Sequence, residues 1–230
     1  MFLNDRLSLR YIIRKPIKSN NKILVKENNN SSKRSLFLMI HGYGSNEKDL
    51  FALAKDIPEN FCVISIQGIY ILNEDKYFWY DIDFSNEEKF VHVLQAKKTI
   101  KKINFFISEV INKYELNNND IWLCGFSQGS ILSYAIGLNN LNIKKVIILS
   151  GYLENKILKE NKVLNKNLDF FISHGIYDTI IPISWVKKSL NFLKDKGIFS
   201  FFFKEYNSGH YLCNSNYKDL INWIKEKNIL

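Results

Sequence analysis

From residue 36 onward the chain alternates short, unbroken apolar runs with longer stretches in which apolar residues recur at helical spacing. The short runs span 36–40, 61–66, 121–125, 145–149, 170–173 and 199–203. Runs of this length without polar alternation mark parallel strands covered on both faces. The longest periodic stretch carries Phe90, Val93, Leu94, Ile100, Ile103, Phe106, Ile107, Val110, Ile111 and Tyr114, one stripe of an amphipathic helix. Lys97, Lys98, Lys101 and Lys102 fall on its other side and read as a solvated face in preference to a membrane-surface one. Alternation of this kind predicts an α/β fold, a mostly parallel central sheet with helices on both faces. The first segments, 7–14 and 22–26, are expected to pair as an antiparallel edge, with the polar run 26–34 as an exposed connection.

The most specific signal is Cys124-Gly125-Phe126-Ser127-Gln128-Gly129-Ser130, which follows Ile121-Trp122-Leu123 and opens a helix-like segment. Gly-x-Ser-x-Gly at a strand-to-helix junction is a nucleophile elbow, a sharp turn that lifts Ser127 clear of the sheet. Gly125 and Gly129 stand where a Cβ would crowd that turn. A small-residue turn that merely packs a helix close to a strand can show the same five residues. The downstream chain separates these readings. A serine hydroxyl attacks only when a base takes its proton and an acid orients the base. Asp178 lies in the loop after Phe170-Phe171-Ile172-Ser173-His174, and His210 in Ser208-Gly209-His210 after the last apolar run. Both fall past the carboxyl ends of strands, and the order Ser, Asp, His is that of α/β-hydrolases. Ser127, Asp178 and His210 are therefore the predicted catalytic residues.

Four histidines make the elimination short. His41 belongs to the loop after the first core run. His92 reads as an ordinary residue inside the long helix, and His174 as structural support for the acid loop. Glu205 and Asp169 are rival acids, but Asp169 begins its strand and so stands at the wrong end. The loop His41-Gly42-Tyr43-Gly44 complements the serine. Attack on an ester or thioester carbonyl creates an oxyanion, whose expected donors are the backbone N–H groups of Tyr43 and Gln128. A phosphate cradle is the other reading of a glycine-rich loop, yet neither Gly-Lys-Ser/Thr nor Gly-x-Gly-x-x-Gly is present.

Six blocks carry a wider likeness, from about residue 36 to the end. They are His41-Gly42-Tyr43-Gly44-Ser45-Asn46-Glu47-Lys48-Asp49-Leu50, Trp79-Tyr80-Asp81-Ile82, Gly125-Phe126-Ser127-Gln128-Gly129, Leu149-Ser150-Gly151, His174-Gly175-Ile176-Tyr177-Asp178-Thr179-Ile180-Ile181-Pro182 and Gly209-His210. With them the chain resembles the phospholipase/carboxylesterase group of α/β-hydrolases, which includes the acyl-protein thioesterases. The resemblance implies the same Ser127–Asp178–His210 set, the same two backbone donors, and hydrolysis of carboxylic esters or thioesters through an acyl-enzyme. No cofactor is expected. Tyr211 departs from the small or acidic residue that many members carry after the histidine, which touches substrate shape more than mechanism. A serine peptidase of the same fold is the alternative activity, although such peptidases generally add a gating domain. A non-catalytic binding protein on this fold is the alternative class.

About twenty residues connect Leu149 to Asp169, too few for a separate cap, so an open site is expected. Trp79, Tyr80 and Ile180 are the predicted substrate-binding residues. The aromatic cluster Tyr70, Tyr77, Phe78, Trp79 and Tyr80 reads either as core packing or as an apolar wall for an acyl chain, with Ile180 and Ile181 opposite.

Composition changes this picture little. A chain of 230 residues, 46% hydrophobic, suits one α/β-hydrolase domain over 1–230. The net charge of +9 is scattered through the chain and accompanies no nucleic-acid motif, so nucleic acid is not an expected partner. Anionic lipid or acidic partners are still compatible with a basic surface. Cys62, Cys124 and Cys213 show no paired spacing, which argues for a reducing, cytoplasmic compartment and against a metal site. No signal-peptide core or bilayer-length apolar run is present, so no integral membrane association is expected. The expected partner is a small-molecule ester or thioester, an acylated lipid or protein among the possibilities.

Overall fold

All six apolar runs contribute strands to one sheet; the five inner ones are buried on both faces, whereas the last lies at the edge with one face open to water. The computed structural model describes residues 7–16, 33–85, 90–159 and 164–229. In chain order its elements are β1 (Tyr11–Arg14), β2 (Leu36–Ile40), α1 (Glu47–Phe51), β3 (Cys62–Ile66), β4 (Tyr70–Asn73), β5 (Lys76–Phe78) and α2 (Val93–Tyr114). There follow β6 (Ile121–Phe126), α3 (Gln128–Leu138), β7 (Ile143–Leu149), β8 (Asp169–Gly175), α4 (Ile183–Asp195), β9 (Phe201–Tyr206) and α5 (Asn214–Lys227). The sheet order is β1-β3-β2-β6-β7-β8-β9, parallel except for β1, while β4 and β5 form a separate hairpin.

Successive strand residues point to opposite faces, and the two faces bury different partners. Leu36, Leu38, Ile40, Leu123, Ile148 and Ile172 pack beneath α2, α3 and α4. Phe37, Met39, Val63, Cys124, Ile147 and Phe171 pack beneath α1 and α5. The arrangement is that of an α/β-hydrolase, and no large cap interrupts it: the described part of the β7–β8 connection holds one 3₁₀ turn, Asn155–Ile157. No helix among the described residues is long and apolar enough to cross a membrane.

Several sequence expectations are corrected. The expected pairing of 7–14 with 22–26 is not among these, since 22–26 lies outside the described residues; β1 itself pairs with β3, Tyr11 opposite Ile66. Helix α2 begins at Val93, and His92 is its N-cap, the ring accepting from the Gln95 N–H, instead of a residue within it. Leu94 does not belong to the buried stripe but is 76% exposed. At roughly 100° per residue it stands about opposite the stripe's centre. Strand β9 starts two residues later than the aromatic run, because its register comes from pairing Phe201 with Phe170 and not from hydrophobicity. Phe199 is left in solvent.

Candidate active site

Strand β6 ends at Phe126, α3 begins at Gln128, and Ser127 makes the whole turn between them at φ 51°, ψ −116°. Such a conformation is costly for a residue with a Cβ and persists only where the surroundings over-determine it. Here they do. The Ser127 N–H donates to the Leu149 carbonyl at 2.8 Å, and its own carbonyl receives the Ile131 N–H. The Ser130 hydroxyl lies 2.6 Å from Gly125 O and 2.9 Å from Leu149 O, and accepts from the Leu149 N–H. These bonds lash the turn to β7. The two elbow glycines permit the approach: a Cβ on Gly125 would stand 2.5 Å from the Gly129 backbone, and one on Gly129 1.9 Å from Ile40 O.

The parallel topology delivers the other two residues to the same end of the sheet. Ser127 Oγ lies 2.8 Å from His210 Nε2, and His210 Nδ1 lies 2.7 Å from Asp178 Oδ2. The second carboxylate oxygen of Asp178 accepts the Ile180 and Ile181 N–H groups, both at 2.9 Å. Burial alone would raise the Asp178 pKa, but the hydrogen bonds from His210, Ile181 and Ile180 outweigh it and hold the carboxyl below its usual range. An ionised Asp178 keeps the proton of His210 on Nδ1. That leaves Nε2 as the acceptor facing the Ser127 hydroxyl. Glu205, a rival acid in sequence, pairs instead with Lys187, and Asp169 with Lys227 and Lys145.

His174 is fully buried, with Nε2 2.8 Å from the Ile181 carbonyl and 3.3 Å from Asp178 Oδ2. It supports the acid loop from within. His41 is buried too; its Nε2 accepts the Gly68 N–H, so Nδ1 carries the proton and donates to Gly42 O. Burial pushes both imidazoles below their ordinary pKa. The unfolded chain therefore takes up protons near pH 6.5 that the folded chain refuses. Their contribution to stability is complete above that pH and drains away as pH falls through it. The urea midpoint should accordingly drop between pH 7 and pH 5, before the carboxylates titrate. A flat midpoint across that interval would show that these rings are not held neutral.

The loop after β2 lies against the elbow. A Cβ on Gly42 would sit 3.3 Å from the Ser127 Cβ. Neither the Tyr43 nor the Gln128 backbone N–H has a hydrogen-bond acceptor among the described residues. The hairpin β4–β5 braces this loop through Gly44 N–H to Tyr77 O and Tyr77 N–H to Ser45 O. Around the site, Ile176, Tyr177 and Ile180 on the acid loop and Tyr211 beside His210 are exposed. Ile180, at 44% exposure, is available to a substrate.

Trp79 and Tyr80 are not. Both are fully buried, so the apolar-wall reading is corrected for these two residues and the core-packing one stands. The Trp79 ring packs 5.1 Å from the His41 ring and its indole N–H donates to the His41 carbonyl at 2.9 Å. Sequence reasoning also missed the Gln128 side chain, whose Oε1 accepts the Trp79 N–H and whose Nε2 donates to Tyr80 O. Among the described residues no three His, Cys, Asp or Glu side chains are grouped to hold a metal ion.

This geometry meets a family pattern over most of the chain: the phospholipase/carboxylesterase family matches residues 21–228. The chain belongs to that family. Its relatives include acyl-protein thioesterase 1 of Kluyveromyces lactis, 31% identical over 157 residues, 64% of this chain and 68% of that protein. Acyl-protein thioesterase 1 of Candida albicans is 26% identical over 216 residues, 86% of this chain and 94% of that one. Among solved structures, the crystal structure of esterase PE8 superposes with a TM-score of 0.80 at 21% identity, over 95% of this chain and 98% of that one. For a phospholipase/carboxylesterase member, a serine at a strand-to-helix turn, hydrogen-bonded to an oriented imidazole, is the arrangement that can attack an acyl carbonyl.

Proposed function

We propose that this member of the phospholipase/carboxylesterase family hydrolyses carboxylic esters or thioesters through an acyl group carried on Ser127. The hydrolase class rests on the family and its thioesterase and esterase relatives. The residue roles rest on one observation, the continuous line from Ser127 Oγ through His210 to Asp178 at 2.8 and 2.7 Å. His210 Nε2 takes the hydroxyl proton as Oγ attacks the carbonyl carbon. The Tyr43 and Gln128 N–H groups receive the oxyanion. Collapse expels the alcohol or thiol, protonated by His210, and leaves the acyl-serine. A water deprotonated by the same nitrogen then attacks, and collapse releases the acid and restores Ser127. Asp178 holds the imidazole and stabilises its charge throughout.

The relatives' names support an acylated substrate, acylated proteins included. Three free cysteines, two of them buried, support a reducing, cytoplasmic setting. All three acting residues hang from one sheet, which supports reading the chain as one domain. A fluorophosphonate should add once, and peptide mass mapping should place the adduct on Ser127. An adduct on another residue would overturn the assignment.

Ile180 is the proposed contact for the acyl chain. Each methylene buried contributes roughly 0.8 kcal/mol, about fourfold in kcat/KM, until the apolar surface is used up. Across a p-nitrophenyl ester series, Ile180→Ala should flatten that rise with chain length and leave acetate hydrolysis nearly unchanged. Equal loss at every length would mean that Ile180 supports the Asp178 loop instead of the substrate.

A further inference from the structure

Of the two proposed oxyanion donors, Tyr43 lies in the loop after β2 and Gln128 opens α3, and the sheet stops short of both. The ladder between β2 and β6 ends at Ile40 opposite Gly125. Tyr43 lies three residues beyond one end of it and Gln128 three beyond the other. Something else must set their separation. We propose that the side chains of His41, Trp79 and Gln128 are positioning residues that form one hydrogen-bonded brace and hold the two donors in register. The proposal rests on the reading of Ser127 as nucleophile, and deepens it.

Each link is visible. At the first loop, His41 Nδ1–H donates to Gly42 O at 2.7 Å. That carbonyl belongs to the peptide unit whose N–H is Tyr43's. In a trans peptide the C=O and N–H point in opposite directions, so fixing the carbonyl aims the N–H. The ring cannot turn, because Nε2 is held by the Gly68 N–H at 2.9 Å. Trp79 supplies the middle link, its indole N–H on the His41 carbonyl and its backbone N–H on Gln128 Oε1 at 2.8 Å. At the elbow, Gln128 Nε2 donates to Tyr80 O at 2.7 Å, so the amide is read at both ends and has one orientation. The brace is anchored behind by α2: Thr99 Oγ1 donates to Trp79 O, and Gln95 Oε1 accepts the Asp81 N–H. This explains why fully buried residues belong to the site.

A donor displaced by a fraction of an ångström stabilises the oxyanion less while ground-state binding is hardly touched. Trp79→Phe deletes the indole N–H and keeps an aromatic ring, though a smaller one; Gln128→Glu keeps the shape and puts an oxygen against Tyr80 O. Each is expected to lower kcat about 10- to 100-fold with KM within about threefold, a part of the loss that follows deletion of a whole donor. Affinity for a trifluoromethyl ketone carrying the same acyl group should fall by the same factor as kcat/KM. The double variant should lose little more than the worse single one, since one broken link already frees the brace. The proposal is overturned by folded variants with wild-type kcat, by inhibitor affinity that does not follow kcat/KM, or by losses that multiply in the double variant. If Gln128→Glu does not fold, Trp79→Phe decides alone through kcat, KM and inhibitor affinity. Failure of the nucleophile reading looks different: the fluorophosphonate adduct then maps away from Ser127 in the unmutated protein.

Discussion

Replacing Ser127 with alanine is expected to lower kcat/KM by at least roughly 10³-fold, with the fold intact. A large loss is expected because Oγ lies 2.8 Å from His210 Nε2, placed to lose its proton as it attacks, and without it the imidazole can only activate water from a poorer position. The fold survives because the bonds that shape the turn come from the backbone of residue 127 and from the Ser130 hydroxyl, none from Ser127 Oγ. What activity remains should be the share supplied by the proposed oxyanion donors and by substrate positioning. Initial rates with a p-nitrophenyl ester, beside a circular dichroism spectrum and urea midpoint, check both halves. A variant retaining a tenth of the wild-type rate would remove Ser127 from the chemistry.

Gly129→Ala has the largest expected effect on stability, a loss of about 3 kcal/mol, the upper end for an overpacked site. Its Cβ would stand 1.9 Å from Ile40 O and 2.7 Å from His41 O, both backbone atoms. Neither can give way: Ile40 is paired on both sides, to Ile66 and to Gly125, and the His41 carbonyl holds the Trp79 indole. Helix α3 would have to lift from the sheet, and every residue in it is buried. Gly44→Ala is the useful contrast. It has the positive φ of 71° but only a Leu72 side-chain atom at 3.6 Å, so its cost is the left-handed penalty alone, roughly 1–2 kcal/mol. Urea titrations of the two variants should separate them clearly. Equal midpoints would mean that α3 shifts to accept the methyl group and that close approach does not demand glycine at residue 129.

The strands were legible where both faces are covered, since an unbroken apolar run such as 36–40 has few other homes. The same rule misplaced β9, an edge strand: Phe199 is as apolar as Phe201 but has no partner in β8. Helix α2 was legible by its stripe, whereas its start was not, because the cap is made by the His92 ring and by Asp81, which is distant in sequence. The meeting of Ser127, Asp178 and His210 could be anticipated because strand ends and chain order constrain where loops meet. Trp79 and Tyr80 were read both ways, as wall or core, because adjacent aromatics give no sign of which faces inward. The Gln128 side chain left no signal at all: its partners are backbone atoms, which every residue possesses.

The turn at Ser127 has a consequence for how this chain can change over evolutionary time. A φ of 51° with ψ −116° suits glycine and no other residue. The position that the proposed chemistry requires to be serine is thus one where a more stable sequence lies a single substitution away. Selection for thermal robustness alone would drift toward glycine there and abolish the reaction. A stability screen blind to activity should therefore recover Ser127→Gly among its winners, and a homologue bearing that glycine would have kept the scaffold after giving up the chemistry.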